Sequence, residues 1–171
     1  PLAAPSANAS GSISPTRAEH VLASLGGRIP LILDGGRTAH GLESTIVAVY
    51  EAGLRLLRPG PMPRETLGAA ALVPGRIEAP GQLASHYAPS KPLRLGAVDA
   101  DPDEWLIGFG DVPGNVTLSR SGDLVEAPAS LFDLLHEADA QRAPRIAVAP
   151  IPDDGLGAAI NDRLRRAAAP R

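Results

Sequence analysis

The sequence predicts an α/β protein in two parts, in which a proline-rich strap joins a first half of short strands to a small α/β layer structure with a mainly parallel sheet. Three observations carry this. Short apolar runs alternate with helical patterns after residue 92, the arrangement that builds parallel layers. A hairpin signature occupies residues 44–58. Between them IEAPGQLASHYAPSKP, residues 77–92, has three prolines and no helical face, which marks a boundary. The predicted division is therefore residues 1–78, a strap at 79–92, and a small α/β domain at 93–171.

The first element is a helix over residues 15–25, with Ser14 or Thr16 as N-cap, Glu19 three residues after Thr16, and Gly26-Gly27 as its stop. PLILD at 30–34 is a short apolar run closed by Gly35-Gly36 and reads as a buried strand. STIVAVY and LRLLR flank Glu51-Ala52-Gly53, which predicts a hairpin with a three-residue loop. Pro59, Pro61 and Pro63 end its second strand, and PRETLGAAA continues as a short helix. In the second half the strand candidates are LRLG at Leu93, WLIGF at Trp105, NVTLS at Asn115 and RIAVAPI at Arg145. Leu131, Leu134, Leu135 and Ala138 share one helical face, and Leu156, Ile160, Leu164 and Ala167 share another.

Composition narrows the function. The 171 residues are 44% hydrophobic, enough to bury a core. There is no Cys, and His20, His40, His86 and His136 lack ligand-like spacing, so no structural metal site is expected. An aromatic share of 3% argues against base-stacking platforms. No apolar run reaches eighteen residues and no secretory pattern is present, so the expectation is a cytoplasmic protein with no membrane contact. Residues 79–171 carry nine basic against thirteen acidic side chains, a poor charge balance for gripping nucleic acid.

Several side chains are candidates for chemistry. In an extended segment Ser6 and Asn8 point the same way, with Ala7 toward the core, and could converge on one ligand group; local pattern alone favours the alternative, a polar turn that caps the next helix. GLESTI lacks the G-x-S-x-G of a nucleophile elbow, so Ser44 opens a strand, where Ser44-Thr45 could bind a polar substrate. Arg58 is either a solvated charge or a fork for phosphate oxygens. GFGDVPG is not a dinucleotide loop, since its third glycine position is Pro113 and a strand follows, so it reads as a loose turn. His86 and Tyr87 either fasten the strap or lie over a site in the first half. Asn161, Asp162, Arg163, Arg165 and Arg166 read as a solvated helix face.

Taken in order, PSANASGSISPTRAEHV, DGG, GLESTIV, LRLLRPG and APGQLASHYAP give the chain its resemblance to the threonylcarbamoyl-AMP synthases of the two-domain type. Each motif is weak alone; five in series are specific. The resemblance implies the C-terminal part of a YrdC-like twisted mixed-sheet domain, a linker over the active site, and a small Rossmann-like α/β domain. It implies synthesis of threonylcarbamoyl-AMP and pyrophosphate from L-threonine, bicarbonate and ATP, with Mg²⁺ on the phosphates. The product would pass to a transferase complex that modifies tRNA. By the same resemblance Ser6 and Asn8 contact substrate and adenylate, Thr16 ATP, Ser44 threonine and Arg58 the nucleotide, while His86 and Tyr87 cover the site; no catalytic residue is assigned. Family members carry a K-x-R motif in a long N-terminal part before Ser-x-Asn. Here the single Lys is Lys91, so these residues alone are expected to have little or no synthase activity. The alternative is a noncatalytic module that binds nucleotide, RNA such as tRNA, or a protein. A carbamoyltransferase within a larger protein is disfavoured by the small domain after SHYAP.

Overall fold

A computed structural model describes residues 4–51, 53–68 and 77–170. In chain order the elements are α1 (Ala18–Leu25), β1 (Ile46–Tyr50), β2 (Gly53–Arg58), α2 (Arg64–Leu67), β3 (Leu93–Leu95), β4 (Glu104–Gly108), β5 (Val116–Thr117), α3 (Glu126–Ala140), β6 (Arg145–Val148) and α4 (Leu156–Ala168). The fold is mixed α/β. β1 and β2 form an antiparallel hairpin, and β3, β6, β4 and β5 lie in that order in a wholly parallel sheet.

The parallel sheet follows from its residues. Alternate positions Trp105, Ile107, Ile146 and Val148 face the core under α3 and α4, while Leu106 and Ala147 form a smaller cluster with Ala97 on the other face. α3 contributes Leu131, Leu135 and Ala138, and α4 contributes Ile160, Leu164 and Ala167, all buried as their helical spacing predicts. β4 and β5 are parallel neighbours linked by only residues 109–115, where a crossover of about a dozen is usual. Glycine makes that possible: a Cβ on Gly108 would stand 2.7 Å from the Gly114 nitrogen, and one on Gly114 would stand 2.4 Å from the Gly108 nitrogen. GFGDVPG is thus a tightly packed loop rather than a loose turn.

The two halves share one core. Ile13 and Leu42 from the first half and Tyr87 from the strap belong to the same buried cluster as α3 and α4. Polar contacts reinforce the seam, with the Asp133 carboxylate of α3 facing Arg17 at 2.6 Å and pairing with Arg37.

Other expectations need correction. PLILD forms no strand, and Leu31 and Leu33 are 68% and 85% exposed, because no neighbouring strand among the described residues offers it a ladder. α1 begins at Ala18 with Arg17 at the N-cap and no side-chain cap, since Ser14 and Thr16 are bonded elsewhere. Gly53 pairs with Tyr50 and so belongs to β2, shortening the loop. α2 is a single turn closed at Gly68 in the left-handed conformation; the rest of its expected length lies outside the described residues. The polar face of α4 is not simply solvated. Arg163 is fully buried, Asp162 is largely covered, and Arg166 donates to Leu83 O at 2.6 Å, because the strap and first half dock there.

The seam also titrates. His20 of α1 stacks on His136 of α3 with centroids 3.8 Å apart. Burial first, then the neighbouring His136 and Arg17, hold the His20 pKa down at about 4; Glu19 opposes and Arg37 adds to the depression. Asp133 Oδ1 lies 3.6 Å away but is already engaged by Arg17. Burial likewise lowers His136 and His86. An unfolded imidazole titrates near about 6.5, so between about pH 6.5 and 4 the unfolded chain binds more protons. The His20 contribution is complete above that window and is lost as pH falls through it. The urea midpoint is expected to drop from pH 7 to pH 5, and His20→Gln to flatten the drop; a midpoint independent of pH in the unmodified chain would contradict the placement.

Candidate functional site

Two open cavities meet at residues 40–42. One, of about 520 Å³, is lined by Ser6, Ser14, Thr38, His40, Leu42 and Glu43 among others. The second, of about 500 Å³, is lined by His40, Leu42, Ser44, Thr45, Met62 and Leu67 among others. His40 and Leu42 form their common wall. Ser6 therefore faces one cleft and Ser44 the other, brought to adjoining spaces by a loop that the seam holds from behind.

The loop's position has local causes. Gly41 has φ +65°, and a Cβ there would lie 2.2 Å from Pro128 O at the start of α3. Gly60 similarly admits the backbone of Glu43–Thr45, with Thr45 N 2.4 Å from the place of its missing Cβ. Beyond them Glu43 and Ser44 are each gripped by an arginine. Glu43 Oε2 accepts from buried Arg163 Nε at 2.9 Å, while its Oε1 accepts from Ser14 Oγ. Ser44 O accepts from Arg58 Nε at 3.1 Å and Nη2 at 2.9 Å, and Ser44 Oγ lies 3.3 Å from Nη2. An arginine cannot take a proton, so this contact fits Ser44 for binding rather than attack.

Arg58 is 8% exposed and also donates to Pro80 O at 3.3 Å. It is a brace between Ser44 and the strap, which rules out the solvated charge. Ser6 and Asn8 do not converge, because the chain bends at Ala7 and Asn8, leaving Ala7 exposed rather than in the core. Asn8 turns inward to donate to Ala9 O at 3.1 Å and Ser12 O at 3.0 Å, with its Oδ1 buried and unpartnered. Thr16 is withdrawn from both clefts. It is 1% exposed, with its hydroxyl on Asp133 at 3.3 Å and its N–H on His20 Nδ1 at 3.2 Å, so it is a seam residue.

Tyr87 is 1% exposed and packs on Phe132, with the Arg163 guanidinium 5.3 Å from its ring centroid. Its hydroxyl lies near Arg58 but outside hydrogen-bond geometry, and its φ of +61° is unusual for a bulky residue. Burial raises its pKa. The half-covered His86 ring stands edge-on against it at 4.1 Å. Neither ring lines either cleft. Both lie behind the loop, on the side where Arg58 and Arg163 approach. Sequence reasoning missed His40, Glu43 and Arg163; the alternation of GLESTI gave no cue that its Glu turns inward, and a charged α4 face looks the same whether solvated or docked.

The fold and these clefts define a mixed α/β protein with two adjoining clefts whose shared loop is braced by Arg58 and Arg163. Comparisons with known proteins give its family. Residues 62–169 match the family "Threonylcarbamoyl-AMP synthase, C-terminal domain", and residues 1–60 match a Sua5/YciO/YrdC family described as "Telomere recombination". The chain is 33% identical over 201 residues to the threonylcarbamoyl-AMP synthase of Bacillus subtilis, covering 100% of this chain and 58% of that protein. It is 34% identical over 195 residues to that of Pyrococcus abyssi, covering 98% and 57%. The crystal structure of P. abyssi Sua5 complexed with L-threonine superposes with a TM-score of 0.80 at 30% identity, covering 96% of this chain and 56% of that one. The chain belongs to the threonylcarbamoyl-AMP synthase family. It spans somewhat over half the length of the curated relatives it matches. Among the described residues no helix is long and apolar enough to cross a membrane.

Proposed function

We propose that these residues form part of an L-threonylcarbamoyladenylate synthase, which joins L-threonine, bicarbonate and ATP into threonylcarbamoyl-AMP with release of pyrophosphate, for transfer to tRNA by a separate complex in the cytoplasm. The observation that carries the reading is the pair of adjoining clefts, with Ser6 in one and Ser44 in the other. A relative bound to L-threonine supports an amino-acid substrate. In this reading Ser44 and Thr45 take the amino acid, Ser6 lies toward the adenylate, and Arg58 fixes the Ser44 backbone instead of meeting phosphate. Attack of a carbamate oxygen on phosphorus needs positioning and charge neutralisation more than a protein nucleophile, which suits a site of bound hydroxyls.

No group of three or more His, Asp or Glu among the described residues is placed to hold a metal, so they do not fit a resident ion; Mg²⁺ enters as the counter-ion of ATP. A solved P. abyssi variant carries replacements of an adjacent His and Tyr by Ala, and this chain has one such pair, His86-Tyr87. In the proposal the division at residues 78 and 92 stands, with the strap acting on the site through Arg58 and Arg163 from behind.

The test is threonine- and bicarbonate-dependent ATP–pyrophosphate exchange, measured with this chain and with the chain extended upstream by the length its relatives carry. Exchange is expected in the extended chain and little in the shorter one. Exchange in neither would sink the enzymatic reading; salt-sensitive tRNA binding without adenylate would favour the noncatalytic module.

A further inference from the structure

The second half does more than cover apolar surface. Arg163, on the second turn of α4, is fully buried, and it reaches across the seam to Glu43, 120 residues earlier, with Nε at 2.9 Å from Oε2 and Nη2 at 3.5 Å from the backbone O. Its Nη1 is anchored by Asp162 at 2.9 Å, and Asp162 is held in turn by Arg166. The other oxygen of Glu43 takes the Ser14 hydroxyl, and Ser14 lines the Ser6 cleft. One carboxylate therefore ties together two segments that line the clefts: the one that carries Ser6 and Ser14, and its own, which continues into Ser44. Tyr87 of the strap closes the arrangement, since its ring lies under Arg163 and its hydroxyl is near Arg58.

We propose that Arg163 is a positioning residue for the substrate clefts: acting through Glu43, it sets the spacing between the Ser6–Ser14 segment and Ser44, so that the α/β domain fixes the geometry of the site on the other half. This rests on the synthase reading for its kinetic consequence but not for its structural one. A fully buried guanidinium is a costly device for mere adhesion, because an apolar pair of the same volume holds two surfaces as well or better. What the charged pair adds is direction, a planar fork that admits one placement of the carboxylate.

Two measurements separate the proposal from the reading it rests on. In this chain, Glu43→Gln keeps size and one acceptor, and Arg163→Lys keeps charge but not the fork. Each is expected to raise amide hydrogen exchange by about tenfold at Ser12 and Ala88, whose N–H groups donate to Ala9 O and Gly11 O of the Ser6–Ser14 segment, while β4 and β6 keep their protection. Unchanged exchange at Ser12 and Ala88 in both variants would overturn the proposal whatever the enzyme does; loss of protection throughout in both would assign the pair to general stability and overturn it equally. In the extended chain, Glu43→Gln is expected to raise KM for L-threonine and KM for ATP by about tenfold each, because Glu43 holds Ser14 beside the Ser6 cleft and stands next to Ser44 in the other. A change in one constant alone, or in neither, would reject the positioning role. If the extended chain makes no adenylate, the synthase reading fails and exchange still decides the structural claim.

Discussion

Arg163→Leu is expected to destabilise the chain by about 3–5 kcal/mol, the cost of stranding a buried partner charge. The replacement fills much of the volume but leaves Glu43, whose side chain is 18% exposed, without its cation, and frees Asp162 from one of its two arginines. Urea unfolding followed by far-UV circular dichroism measures it. The double variant Arg163→Leu with Glu43→Leu should recover a large part of the loss, since an apolar pair replaces the ion pair. A single variant within about 0.5 kcal/mol of the original would show that water reaches Glu43 and that the seam is not closed there.

Gly41→Ala is expected to cost about 3 kcal/mol or more, through two effects that add. The backbone at φ +65° disfavours any Cβ, and this Cβ would meet Pro128 O at 2.2 Å and Ala129 Cα at 2.8 Å, both backbone atoms at the start of α3 that cannot swing away. Gly36→Ala is the control. It has φ +85° with nothing within 4 Å, so only the backbone term remains, about 1 kcal/mol. If the two variants match, the loop is not seated on α3. If Gly41→Ala is much worse, the wall made by His40 and Leu42 is set by that contact, and ligand binding should suffer alongside stability.

Helices α3 and α4 were legible because a buried stripe repeats every three to four residues, and the strands of the parallel sheet because short apolar runs stand between turn residues. PLILD has the same composition as those strands and failed, since a strand is made by its neighbour as much as by itself. The hairpin was legible, but not that Gly53 belongs to it. Motif order singles out Ser6 and Ser44, and each lines one of two adjoining clefts. Glu43 and Arg163 could not be found that way. Their partnership spans 120 residues, and nothing in either local pattern signals it. Thr16 illustrates the converse, a residue ideal by local rule for a helix cap whose hydroxyl is claimed by Asp133, 117 positions away.

The Glu43–Arg163 pair also bears on how the molecule is made. During synthesis the carboxylate leaves the ribosome long before its cation. At about 5–20 residues per second, the 120-residue interval is roughly 6–24 s. Through that time Ser14, Glu43 and Ser44 have no fixed mutual arrangement, and the apolar residues Ile13 and Leu42 wait for helices not yet translated. The loop between the two clefts is thus completed only once α4 has been made, and a pause or premature stop within α4 would leave the segments before it without the clamp that Arg163 supplies.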